Sequence, residues 1–386
     1  MDNRTLCTSF LFFVKNPFYT SRIRFENCFA YKKYTKKCIF ELSKSKRMKR
    51  YFLVFSFLII STVYLLGQAG QSAYTFLELP ISSHMAALGG SNVCLRNNDI
   101  NFALSNPSLL SPETDNQLAL NFTKHIVGVS VGSAVYGNTW NGNMFGIGMQ
   151  YVDYGTFDET SETNQNLGTF TAKDYALSFI YAKQLGKNWQ GGITLKPIYS
   201  AYESYTSFAM GVDVGLSYDL KDKGVSLGAA LQNVGTQITS YNNQLEKLPF
   251  NSLISFSEKF IHAPLRVSLT AHHLQVWNLN YLNTITTTSL TGVKTSDTIS
   301  FVDMFFRHLI VAIDFIPSKN IYFTVGYNHE RAAELGLSDL KTSAGFSFGG
   351  GLTISKFQIG FAASQFQKGI MAYQFSISTD LNSYKK

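Results

Sequence analysis

Fourteen short stretches in which apolar and polar residues alternate run from Leu118 to Thr379, and no long apolar helix interrupts them. Strand side chains alternate with period two, so each stretch carries one apolar and one polar face. In the last two stretches Phe357, Ile359, Phe361 and Ala363 share a face, as do Met371, Tyr373, Phe375 and Ile377, with Gln374, Ser376 and Ser378 opposite. So much apolar strand surface would aggregate in water. A closed barrel in lipid turns it outward and keeps the polar face inside. The pattern predicts an all-β fold, a transmembrane antiparallel β-barrel of about 14 strands. The strands are expected near 118–123, 125–136, 142–154, 170–184, 189–202, 206–219, 224–234, 250–261, 264–277, 308–316, 320–330, 342–351, 356–366 and 369–379. A large soluble β-sandwich is the competing fold.

Three ionisable residues fall on polar faces: Asp213 opposite Met210, Val212, Val214, Leu216 and Tyr218, Arg266 between Leu265 and Val267, and Asp314 between Ile313 and Phe315. Charges facing lipid are costly, so all three are expected in the lumen. The connections 155–169, 235–249 and 278–307 are long and polar, whereas those at 186–188, 221–224 and 317–320 are tight. Long loops face outside and tight turns the periplasm in such barrels. The 21 Tyr and 32 Phe of the chain suit aromatic girdles at the two interfaces.

The one long apolar run, 51–66, has 16 residues, short for a spanning helix of about 20. Met48, Lys49 and Arg50 precede it and Gly67-Gln68-Ala69-Gly70 follows. A basic region, an apolar core and small residues make residues 48–70 an expected secretory signal peptide, cleaved after Ala69 or Gly70. Met48 is then the expected start, and residues 1–47 an over-extended leader. The competing reading is a basic cytoplasmic segment before a signal anchor. No Cys follows the apolar core directly, so no lipid anchor is expected. The charge changes with this division. The whole chain carries +8, but 13 of its basic residues lie in the first 50, and the mature part has 20 basic against 22 acidic residues. Nucleic-acid binding has no support from that balance. Cys94 alone remains beyond the leader, so no internal disulfide is expected, and a small buried residue is the bland reading of it.

Residues 71–117 have a mixed pattern, with turn formers at Gly89-Gly90 and Asn106-Pro107. Too short for a core of its own, this segment is expected to plug the lumen of the barrel that residues 118–386 form. Chemistry is weakly signalled. His272-His273 are adjacent on a predicted strand, so they should point to opposite faces and fail to grip one metal. His329-Glu330-Arg331 reads as a rim charge cluster or a partner contact. Gly349-Gly350-Gly351 sits inside a strand pattern and suggests a bulge or a close approach of the plug. No phosphate loop, catalytic triad spacing, metal set or cofactor motif is present, so no enzyme is expected.

Several segments carry a family resemblance: FLELPISSHMAALGGSNVCLRNNDINFALSNPSLL, KLPFNSLISFSEKFIHAPLRVSLTAHHLQVWNL, FRHLIVAIDFIPSKNIYFTVGYNHERAAELGL and SAGFSFGGGLTISKFQIGFAASQF. Over residues 73–380 the chain resembles the PorV/PorQ family, FadL-like outer-membrane barrels of the type IX secretion system of Bacteroidetes. Asn106, Pro107, Ser108 and Leu109 match the family's Asn-Pro-Ala-Leu plug motif, with Ser108 in place of the usual Ala. The resemblance implies a 14-stranded barrel in the bacterial outer membrane, with loops at the cell surface. It implies no chemistry. Its expected role is to anchor a surface β-propeller protein in an attachment complex with a sortase-like protease and a sister barrel. That complex removes the C-terminal signal of secreted cargo and attaches the cargo to lipopolysaccharide. A FadL-type channel for fatty acids or other hydrophobic molecules is the alternative, and an outer-membrane hydrolase a distant third.

Overall fold

The computed structural model describes residues 73–125, 128–161, 163, 165–241, 245–279, 300–335, 343–367 and 370–384. The signal peptide and leader expected over 1–70, and most of the 278–307 connection, lie outside the described residues. The period-two stretches form fourteen strands. They are β1 (Gln117–Lys124), β2 (Ser130–Trp140), β3 (Asn143–Thr160), β4 (Asn166–Gln184), β5 (Trp189–Tyr202), β6 (Tyr205–Leu220) and β7 (Val225–Thr239). There follow β8 (Asn251–Lys259), β9 (Leu265–Ala271), β10 (Leu309–Ser318), β11 (Ile321–Asn328), β12 (Phe346–Ile354), β13 (Phe357–Gln367) and β14 (Ile370–Asp380). Each pairs antiparallel with its neighbours in the chain, and β1 closes on β14 in a register from Gln117↔Asp380 to Lys124↔Tyr373. Closure leaves no strand edge to satisfy in lipid.

The faces sort as the alternation requires. On β14 Tyr373, Phe375 and Ile377 are exposed while Ala372, Gln374 and Ser378 are buried. On β10 Val311, Ile313 and Phe315 are exposed while Ile310, Ala312 and Asp314 are buried. The outer wall is therefore an apolar belt, and this closed 14-stranded barrel belongs in the bacterial outer membrane. Both ends of the barrel sequence, the start of β1 and the end of β14, sit at the rim that carries the tight turns 141–142, 185–188, 319–320 and 355–356. That rim is the periplasmic one. The opposite, outer rim carries the connections 240–250, 272–308 and 329–345.

Several expected boundaries move. β1 begins at Gln117, one residue into the segment assigned to the plug. β3 and β4 pair out to Thr160 and Asn166, so the loop expected over 155–169 shrinks to 161–165. β7 runs on to Thr239, shortening the 235–249 loop from its start. β9 stops at Ala271 rather than 277, and β11 at Asn328 rather than 330. The outer connections also hold helices the alternation does not announce. These are α2 (Phe301–Arg307) and α3 (His329–Leu335), after α1 (Ser83–Ala87) in the N-terminal segment.

Residues 73–116 lie within the barrel as short helical turns with no strand. Their side chains are largely buried, including Phe76, Met85, Leu88, Val93, Cys94, Ile100, Phe102 and Leu110. Leu110, Ile100 and Leu104 pack on wall residues Val135, Met144, Ile180 and Ala182. Tyr74 and Phe76 pack on Val131, Val152, Ala176 and Ile198.

Candidate functional site

The interior is built where the N-terminal segment meets the wall. Asn106, Pro107, Ser108 and Leu109 form one latch. The Asn106 side-chain amide donates to the Val93 carbonyl at 2.6 Å, and its oxygen accepts from the Ser108 amide at 3.0 Å and the Ser108 hydroxyl at 2.7 Å. Pro107 opens the turn Pro107–Leu109, where a missing N–H costs nothing. The turn is tied to the wall by the Ser217 hydroxyl, which donates to the Ser108 carbonyl at 3.2 Å, and by the Gln190 amide, which donates to the Leu110 carbonyl. Gly215 faces Asn106 so closely that a Cβ there would overlap its side-chain oxygen. At Gly349 a Cβ would come 2.6 Å from the Ala87 methyl, and β12 pairs on both sides without a register shift. The glycine run marks a close approach of the segment, and there is no bulge.

The three charged wall residues are buried and paired. Lys196 Nζ lies 2.7 Å from Asp213 Oδ2, and the Asn233 amide donates to Asp213 Oδ1 at 2.7 Å. Arg266 Nε and Nη2 both reach Asp314 Oδ2 at 2.8 Å. Asp314 Oδ1 lies 3.2 Å from His84 Nε2 and accepts from the Thr324 hydroxyl, while Arg266 Nη1 donates to Asn97 Oδ1. His84 stacks on Tyr322 at 4.3 Å. Asp314 thus fastens α1 of the N-terminal segment to three strands at once.

Two cavities flank this packing. The inner one, about 600 Å³, is lined by Arg96, Asp99, Glu113, Asp219, Lys221 and Lys319 among others. The outer one, about 490 Å³, has an apolar side made of Leu77, Leu79, Ile81, Met85 and Leu104. Its other side carries Glu78, Lys196, His272, His273, Glu330 and Glu334.

That polar side corrects the reading of the histidine pair. The pair follows the end of β9, and His273 takes a left-handed backbone at φ +53°, held by its amide donating to Asn251 Oδ1 at 2.9 Å. The alternation breaks there, so both rings face inward, with centroids 4.8 Å apart. His272 Nδ1 lies 3.4 Å from Glu330 Oε2 and His273 Nδ1 3.2 Å from Glu330 Oε1. His273 Nε2 lies 3.5 Å from Glu78 Oε1. Burial alone would lower both imidazoles. It brings His272 down to about 3 despite Glu330, while Glu330 and Glu78 outweigh it at His273 and hold that ring up at about 10. Glu330 is held below its usual value against its burial, with His273 the main cause. His329, expected in the same rim cluster, instead joins Asp303 of α2 at 3.0 Å. Arg331 turns away, donating to the Gly89 carbonyl at 3.0 Å and to Ser347 at 3.1 Å, and lies over Phe366.

At the outer rim α2 divides into two sides. Met304 and Arg307 are buried, with Arg307 paired to Asp303 at 3.0 Å. Phe301 and Val302 are 71% and 59% exposed, and Phe305, Phe306 and the neighbouring Trp277 are exposed as well. Phe301 and Trp277 lie ring to ring at 5.1 Å.

No family model matches the chain, and no curated protein does. Solved barrels share its fold. The CymD monoaromatic hydrocarbon channel is 13% identical, with a TM-score of 0.50 over 78% of this chain and 96% of that one. The Pseudomonas putida toluene transporter TodX is 14% identical, with a TM-score of 0.47 over 79% of this chain and 99% of that one. A Pseudomonas aeruginosa FadL homologue is 11% identical, with a TM-score of 0.43 over 81% of this chain and 100% of that one. In fold the chain is similar to the CymD barrel.

Proposed function

We propose that this barrel is an outer-membrane anchor, filled by its own residues 73–116, that fixes a surface protein at the outer rim. The observation that carries the reading is the apolar side of α2. Phe301, Val302, Phe305, Phe306 and Trp277 crowd one exposed patch, while Met304 and Arg307 hold the helix down. Aromatic residues clustered on a fixed support are what interface anchors are made of. The resemblance to the PorV/PorQ family supplies the partner class: a surface β-propeller protein, within an attachment complex that also holds a sortase-like protease and a sister barrel. The interior favours a closed scaffold, because Ser108, His84 and Asn97 tie the segment to the wall through buried polar bonds. Export through a signal peptide at 48–70, with residues 1–47 upstream of the start, belongs to the same proposal.

A second reading, a channel for hydrophobic molecules, is favoured by the fold comparison, since CymD is a monoaromatic hydrocarbon channel. The apolar side of the outer cavity also suits it. One experiment separates the two. The barrel is extracted from outer membranes in mild detergent, and both the copurifying proteins and the bound small molecules are identified by mass spectrometry. A β-propeller protein lost on replacing Phe301, Phe305 and Phe306 by Ser supports the anchor. Barrel recovered alone, carrying fatty acid or hydrocarbon, supports the channel and overturns the anchor.

A further inference from the structure

We propose that His272, His273 and Glu330 form a binding site for a divalent transition-metal ion, zinc being the best fit, on the wall of the outer cavity. Each residue can offer one donor atom such that the three lie within 4.8 Å of one another. The carboxylate oxygens of Glu330 stand 3.2 and 3.4 Å from the two imidazole Nδ1 atoms. Ligands about 2.1 Å from a tetrahedral zinc are separated by about 3.4 Å, so donors that lie within 4.8 Å of one another need only draw together by about an ångström to hold one. Two imidazoles with one carboxylate suit zinc and its neighbours in the first transition row and suit calcium or magnesium poorly.

The surroundings fit a metal as well as the donors do. Glu78 lies 3.5 Å from His273 Nε2, the ring nitrogen a metal at Nδ1 would leave to a supporting carboxylate. His272, 4% exposed, has a buried Nε2 with no hydrogen-bond partner. Its Nδ1 faces Glu330 while its Nε2 stays without a partner. Glu78 and Glu330 face the two imidazoles, and Glu334 lines the same cavity, so carboxylates surround the position a cation would take. The neighbouring basic groups do not compete. Arg331 is engaged by the Gly89 carbonyl and Ser347, and His308 spends both ring nitrogens near the carbonyls of His272 and Trp277. An entry path exists, because all four residues line the cavity of about 490 Å³ at the outer side, which also leaves a coordination position open to water or a ligand.

The backbone is shaped for the cluster. A regular strand through His272 and His273 would send the rings to opposite faces, and the left-handed turn at His273 brings both to Glu330. The four residues come from three places far apart in sequence: the turn Thr75–Glu78, the end of β9 and the first turn of α3. A metal there would tie the N-terminal segment to two outer connections.

The test uses the whole mature barrel, untagged, in detergent, stripped with a chelator and then titrated with zinc chloride against a chromophoric zinc indicator at pH 7.5. The expected result is one zinc per chain. Glu330→Gln and His273→Asn should each weaken binding at least about 100-fold, and Glu78→Gln about 10- to 100-fold. Cobalt(II) in place of zinc should give a tetrahedral visible spectrum that Glu330→Gln abolishes. Heat-modifiable migration on gels confirms that each variant is folded. Failure of the folded wild-type barrel to take up stoichiometric zinc overturns the site. So does uptake that all three variants retain, which marks binding at exposed side chains elsewhere.

Discussion

Replacing Asp314 by Ala tests whether the lumen is a dry, packed interior. Asp314 is 0% exposed and accepts from two nitrogens of Arg266 and from Thr324, beside His84 of the N-terminal segment. Its removal leaves the Arg266 guanidinium buried with a single neutral partner, Asn97. Breaking one side of a buried ion pair costs about 3–5 kcal/mol, a fall of about two to four decades in the folding equilibrium. The double variant Asp314→Ala/Arg266→Met removes the stranded charge and should regain most of that loss, because a buried pair replaced by apolar groups is often neutral. The assay is urea unfolding of the barrel in lipid vesicles, followed by tryptophan emission from the chain's three tryptophans. A loss under about 1 kcal/mol for the single variant would refute the reasoning, since a wet lumen screens such a pair. A double variant as damaged as the single one would refute it equally.

Three further outcomes follow from the same packing. Gly228→Val should leave the barrel folded but displace residues 92–94, because a Cβ there would overlap the Val93 carbonyl; planar-bilayer recordings should show higher conductance than wild type, and unchanged conductance would count against a tight seal. Cys94, buried in the segment with its thiol pushed up to about 12 by desolvation, should hold only about one part in ten thousand as thiolate at pH 8. Labelling by iodoacetamide should therefore need urea, and rapid labelling of the folded barrel would show that the segment opens. Phe361→Arg, on the exposed face near the middle of β13, should cost about 2–4 kcal/mol in lipid. A cost near zero in the same unfolding assay would place that residue outside the hydrocarbon.

Strand number, strand faces and barrel closure are legible in the sequence because a membrane wall enforces period two on every strand. Val214 and Leu216 are exposed and Asp213 and Ser217 buried by the same rule that places Phe375 and Gln374. The rule fails where the wall ends. At Ala271 pairing stops, and the alternation that would have separated His272 from His273 no longer binds them. A signal was present, since histidine is among the residues that tolerate the left-handed region. α2 had one too: Ser300 caps the helix by accepting from the Val302 amide, with Asp303 in its first turn. Glu330 was visible as part of the rim cluster His329-Glu330-Arg331, but not its approach to His273, which two separate outer connections make together. Glu78 had no signal, because its meeting with His273 depends on how the segment 73–116 threads the lumen, and no local pattern encodes that path. A chain that needed only a hydrophobic stopper could have filled this space with leucines. Burying His272, His273 and Glu330 together costs desolvation that apolar packing would not, and nothing in the closure of the barrel requires it. Pairing of Glu330 with both imidazoles offsets part of that cost, and the donors left facing the cavity suit a cation better than a hydrocarbon.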